Sequence, residues 1–164
     1  AALLALAQGF IVRGARGVTA WDVPAMPLVF LGSALVSGTG LFLVVEVAAG
    51  RAPGRAALGG TLAVLALGAL AWLAYLTASR DAAFARAIRP LRRATAAVAV
   101  AGGGHLLPFA LATAALVTDE PAAALGAGVL MVSAQLYVKW LLVLAVGALR
   151  PVTLANLRLP RRLS

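Results

Sequence analysis

Apolar positions along this chain gather into long unbroken runs instead of the alternating or three-and-four spacing of a water-soluble fold. Four runs stand out, at Met26–Ala48, 57–78, 94–117 and 122–149. Each supplies the roughly 20 helical residues needed to cross a ~30 Å hydrocarbon core. A backbone inside hydrocarbon must satisfy its own hydrogen bonds, so such runs fold as helices. The pattern predicts an all-α fold, a polytopic membrane helical bundle with four full transmembrane helices. A shorter apolar stretch at 1–12 spans only about 18 Å as a helix, at ~1.5 Å per residue. It has neither the positive leading region nor the cleavage site of a signal peptide, and reads as the end of a preceding, truncated transmembrane helix. The chain then divides into 1–12, a four-helix transmembrane bundle over 13–149, and a basic tail over 150–164. On this reading it is the C-terminal part of a larger protein.

The connections carry their own signals. Gly14, Gly17 and Pro24 mark 13–24 as a loop, and Trp21 stands just before the first run, where an aromatic belt would place it. Trp72 and Tyr75, toward the exit of the second run, read as headgroup-level residues for the same reason. Residues 79–93 form the most charged connection. Phe84 and Ile88, four apart, give it the apolar face of a short interfacial helix ended by Pro90; a solvated loop is the alternative. In the first run Ser33, Ser37 and Gly40 are spaced for close helix approach. In the third, Gly102-Gly103-Gly104-His105-Leu106-Leu107-Pro108 predicts a kink or local break. The hairpin Thr118-Asp119-Glu120-Pro121 is short enough to make the third and fourth runs antiparallel neighbours.

Composition agrees with the pattern and charge orients it. Of 164 residues, 63% are hydrophobic and 12% charged, too few charges to clothe a surface in water on every side. A net charge of +9 raises the question of nucleic acid. The arginines, however, sit at the ends of apolar runs, as membrane-flanking residues do, and form no basic stripe interleaved with aromatics. Eleven of the 14 basic residues fall on the side of the first loop, Arg51 and Arg55 fall on the other, and Lys139 lies within a run. The positive-inside rule then puts the arginine-rich face, with the C-terminus, in the cytoplasm, and Asp119 and Glu120 outside. With no cysteine, the chain has no disulfide framework and no cysteine-held zinc or Fe–S cluster of its own. One histidine and five carboxylates do not point to a self-contained metal centre.

Ionisable groups inside a bilayer cost a few kcal/mol each and are functional candidates by default. Three stand here: His105 near the middle of the third run, Lys139 in the fourth, and Glu46 close to the end of the first. His105 lies 13 residues before Thr118 and Gln135 lies 13 after Ala122, so both sit roughly 20 Å from the hairpin. Lys139 is one turn beyond Gln135 on the same face, while Tyr137 points away from it. His105, Gln135 and Lys139 are therefore the candidate interior cluster between the third and fourth runs, as part of a quinone pocket or proton path. A purely structural account stands beside it. Lys139 would snorkel to the headgroups or bond a freed carbonyl, and His105 would bond the backbone near Pro108. Glu46 reads as interfacial, too far in depth to pair with Lys139. No catalytic set of nucleophile, base and orienter is present, and no phosphate-cradling glycine motif.

The segment 21–38 carries a resemblance. Trp21, Pro27, Phe30-Leu31, Ser33 and Gly38 are similar to the opening of a middle helix in the NrfD family of membrane anchor subunits. That family includes the polysulfide reductase anchor and is related to the dimethyl sulfoxide reductase anchor. Lys139-Trp140-Leu141-Leu142 onward to Gly147 resembles the family's last helix. An arginine often stands there at the place of Lys139, and lysine keeps the charge without the planar fork. The resemblance implies the last four helices of an eight-helix anchor that passes electrons between the quinone pool and a ferredoxin-like Fe–S subunit, often with a molybdopterin catalytic subunit beyond it. Fe–S and molybdopterin would belong to those partners, with quinone or quinol in the intact protein and no covalent cofactor. The family builds its quinone pocket largely from N-terminal helices, so no quinone residue is carried over. It also implies a multi-pass protein of the bacterial cytoplasmic membrane, with the Fe–S partner on the outer face. The rivals are a transporter or channel fragment lined by a broken third helix, and a purely structural membrane subunit.

Overall fold

The computed structural model describes residues 2–15 and 17–147. The basic tail 150–164, and with it the side on which the C-terminus lies, falls outside the described residues, as do the last two positions of the fourth run. The described residues form helices and no strand. They are α1 (Ala2–Arg13), α2 (Met26–Ala48), α3 (Arg55–Leu76), α4 (Ala82–Ala87), α5 (Ala94–Thr118) and α6 (Pro121–Ala145). Four of these, α2, α3, α5 and α6, are long and apolar enough to cross a membrane. The fourth ends at Ala145 rather than at 149. Its last residues widen into a π turn, closed by the Val146 amide on the Leu141 carbonyl at 3.0 Å.

The four long helices form an up-down-up-down ring. α2 packs on α3, α3 on α5, α5 on α6 and α6 back on α2, while α1 lies outside against α2. Short connections enforce this order. The turn after α2 needs left-handed backbone at Gly50 (φ 73°), and the α5–α6 hairpin puts Asp119 in the same region (φ 55°); both residue types tolerate it. Small residues set how closely α2 and α6 approach. A Cβ on Gly40 would lie 2.9 Å from the Gly128 carbonyl oxygen, and one on Gly128 would lie 2.6 Å from that of Gly40. Close backbone contact is how helices gain packing energy when lipid is as apolar as their side chains. The outward faces stay apolar, with Leu41, Phe42, Leu67, Leu70, Phe109 and Leu136 all exposed, as a lipid-facing surface requires.

A second apolar layer closes the arginine-rich end. Phe84 and Ile88 of the α4 region are both buried, turned down onto the bundle. The Asp81 side chain caps α4 by accepting the Ala83 amide at 2.9 Å, and Pro90 falls in the tight turn Arg89–Arg92 that follows. Tyr75 is fully buried, not at headgroup level. Its ring meets Trp72 and Phe84 edge-on, and its hydroxyl donates to the Ala20 carbonyl at 3.0 Å. Trp72 is buried as well. Trp21 is half-buried, and its indole N–H donates to the Leu142 carbonyl at 3.0 Å, one of the carbonyls left over at the end of α6. Tyr75 and Trp21 turn inward to backbone carbonyls, of the loop before α2 and of the end of α6, that hydrocarbon could not offer. The stacked pair Tyr137 and Trp140 occupies the exposed side of α6.

Candidate intramembrane polar site

The glycine triplet of α5 does not break the helix. Val98–Leu106 winds as π-helix, continuous with α turns on both sides. Pro108 brings no N–H to the ladder, and its ring crowds the preceding turn. Three glycines before it bring little preference for the α form, so the chain takes the wider turn, a form frequent at functional sites. His105 sits on this stretch, 7% exposed. Its Nδ1 lies 3.0 Å from the Val100 carbonyl oxygen, five residues back. A carbonyl only accepts, so Nδ1 carries the hydrogen, and Nε2 of the neutral ring keeps a lone pair.

That Nε2 is buried with no hydrogen-bond partner. It faces α3. A Cβ on Gly68 would come 3.3 Å from Nε2 and 2.8 Å from Val36 Cγ2, so the imidazole and Val36 together fill the space that Gly68 leaves. Gln135 is 1% exposed, and neither its Oε1 nor its Nε2 has a partner. Gly40 meets Met131, and one antiparallel turn on brings Gln135 to the level of Val36. His105 and Gln135 thus share a depth in the bundle interior, without a hydrogen bond between them. Lys139 is half-buried and turns toward α2, lining a space of about 10 Å³ with Val29, Phe30, Ser33 and Leu142. Among the described residues Ser33 Oγ is the remaining buried unpartnered side-chain atom. The three predicted residues therefore lie on two sides of the interior, His105 against α3 and Lys139 against α2, with Gln135 at the depth of His105 and one turn from Lys139.

Glu46 is engaged elsewhere. Arg51 forks onto it at the end of α2, Nη2 to Oε1 at 2.6 Å and Nε to Oε2 at 3.0 Å. The pair raises the guanidinium pKa above its ordinary value, so Arg51 stays charged. Tyr137, set apart in the sequence reading, is 36% exposed. Among the described residues no three His, Cys, Asp or Glu side chains gather as a metal site would require.

Two participants escape sequence reasoning. Ser33 reads there as a packing residue, and Gly68 attracts no notice. The available signal for Gly68 is its isolation in the middle of a Leu/Ala-rich helix whose other glycines, Gly59 and Gly60, lie near its start; an isolated helical glycine usually has a packing reason. A further space of about 480 Å³ opens between α3 and α5, with His105 at one end and Arg92 at the other. Comparison with protein-family models, with curated proteins and with solved structures returns no match.

Proposed function

We propose that this chain is the membrane-embedded part of an anchor subunit in a quinone-linked oxidoreductase of a bacterial cytoplasmic membrane. It would carry electrons between the quinone pool and a ferredoxin-like Fe–S subunit seated on the outer face, with a molybdopterin catalytic subunit beyond. The arginine-rich end faces the cytoplasm on this reading. One observation carries it: His105 is buried at bilayer depth with Nδ1 committed to a carbonyl and Nε2 free. Quinone reduction and quinol oxidation move protons with electrons, and they need a group that holds a proton where water does not reach. His105 fits that need by place and geometry, since Val100 holds its Nδ1 and its unpartnered Nε2 faces the interior beside Gly68, away from the slot between α3 and α5. Gln135 and Ser33 add unpartnered polar atoms to the same interior. The resemblance of 21–38 and 139–147 to the NrfD anchors supports the same assignment. The transporter or channel reading gains nothing from α5, which stays helical throughout.

The test is isolation of the intact membrane particle. It should hold iron in an attached polypeptide and extractable quinone, and quinol-driven reduction should respond to quinone-site inhibitors. In the assembled particle His105→Leu should lower quinol turnover about a hundredfold, the low end of what general acid–base catalysis contributes (~10²–10⁴-fold). A particle with neither iron nor quinone, or solute uptake in vesicles with no redox partner, overturns the assignment.

A further inference from the structure

The space between α3 and the arginine-rich half of α5 has a shape and a polarity of its own. Its walls are the small residues Ala69, Ala97 and Ala101 with Trp72, Leu73 and Leu106. Leu73 and Leu106 are 58% and 69% exposed, so the slot opens sideways onto the surface the bilayer covers. It starts beside Leu76, the last residue of α3, whose carbonyl accepts from Arg92 Nη2 at 3.0 Å. It runs along 69–76 of α3 and 97–106 of α5, about 10–14 Å at ~1.5 Å per residue. That is close to one leaflet, half of the ~30 Å core.

Its two ends differ in chemistry. The deep end offers no hydrogen bond, because His105 Nδ1 is used by Val100 and Nε2 is buried against Gly68. The shallow end offers the guanidinium of Arg92, which keeps donors to spare after Leu76 and stands in sequence between Arg89 and Arg93; no carboxylate lines the slot. A polar ring buried here would lose its hydrogen bonds with water and gain none. A hydrocarbon chain loses nothing, and a phosphate at the mouth matches the guanidinium fork.

We propose that this slot seats one acyl chain of an anionic phospholipid from the arginine-side leaflet, its phosphate held by Arg92. Basic sites between transmembrane helices on that face are suited to such headgroups. The proposal stands whether or not the chain belongs to a quinone-linked complex.

The test uses the full-length protein in its native assembly, exchanged through vesicles of phosphatidylcholine alone or mixed with phosphatidylglycerol. Lipid that survives mild delipidation is then identified by native mass spectrometry. Wild type should retain phosphatidylglycerol in preference to phosphatidylcholine. Arg92→Gln should lower that retention roughly tenfold, a loss of about 1.4 kcal/mol, and Arg92→Lys should keep most of it. Ala101→Trp should abolish retention of either lipid by filling the slot, and Arg55→Gln on the opposite face should change nothing. Equal retention of the two lipids, no effect of Arg92→Gln, or a quinone recovered in place of phospholipid overturns the proposal. If Ala101→Trp does not assemble, the two Arg92 variants in folded protein still decide it.

Discussion

Gly40 and Gly128 each occupy a place that the other's carbonyl oxygen denies to a Cβ. Gly128→Ala should therefore destabilise the bundle by about 1–3 kcal/mol, the usual cost of overpacking, read as an earlier unfolding midpoint in a detergent titration. Gly103→Ala is the internal control. A Cβ there meets nothing within 4 Å, and alanine is the better helix former, so the midpoint should stay or rise. Gln135 makes the opposite case. Both its amide atoms are buried without partners, and replacing such a group by an apolar one of similar size removes a desolvation cost of about 1–3 kcal/mol. Gln135→Leu should raise the midpoint and lower quinol-driven turnover, the pattern of a residue kept for function at the expense of stability. The depth of Gln135 was legible in the sequence because depth follows from counting residues along a straight helix. The direction of the His105 ring was not. It depends on the π turn and on the gap at Gly68, and no pattern of apolar and polar letters encodes either.

The four spans could be read from run length alone, since the hydrocarbon core sets a length that few other elements reach. Their ends were less legible, because apolar residues continue past the point where loops take over the hydrogen bonding. The second helix begins at Arg55 and ends at Leu76, against 57–78 from hydropathy. The inward turn of Trp72 and Tyr75 escaped for a related reason. An aromatic at the end of a run reads as a headgroup anchor, and only the fold reveals that the Ala20 carbonyl waits for the Tyr75 hydroxyl. Tyr75→Phe should leave that carbonyl unpaired and cost about 1–2 kcal/mol, measured by the same detergent titration, with α4 becoming more open to proteolysis. The glycine triplet signalled a disturbance in α5 but not its form. Deleting Gly103 should close the wide turn to plain α winding, because a π turn holds one residue more than the α turns it interrupts, and shift His105 relative to the Val100 carbonyl, its partner five residues back. His105 would leave the space beside Gly68. The deletion should lower quinol turnover at least as far as His105→Leu, while the protein still inserts and yields full membrane expression.

At the scale of the whole molecule, the ring of four helices presents two unlike ends. One carries the short turns at 49–54 and 119–120, with the Arg51–Glu46 pair. The other is thickened by the loop before α2, by α4 and by the turn Arg89–Arg92, and among the described residues it collects six of the eight arginines. Charge asymmetry of this size orients a helical membrane protein, because arginine-bearing loops resist transfer across the membrane. This chain has no cysteine, so once any cysteine elsewhere in the full-length protein is replaced, single substitutions give a clean test. Gly54 is an open position, where a Cβ meets nothing within 4 Å, and Arg86 is exposed on α4. In intact cells a membrane-impermeant maleimide should label Gly54→Cys and spare Arg86→Cys, and both should react once the membrane is opened. The reverse pattern would put the arginine-rich end outside. On the proposed reading an Fe–S partner would then have to dock over α4 instead of on the short turns, and Arg92 would meet lipids of the outer leaflet, so the same two cysteines decide which face the proposed redox partner would take and which leaflet the proposed slot would meet.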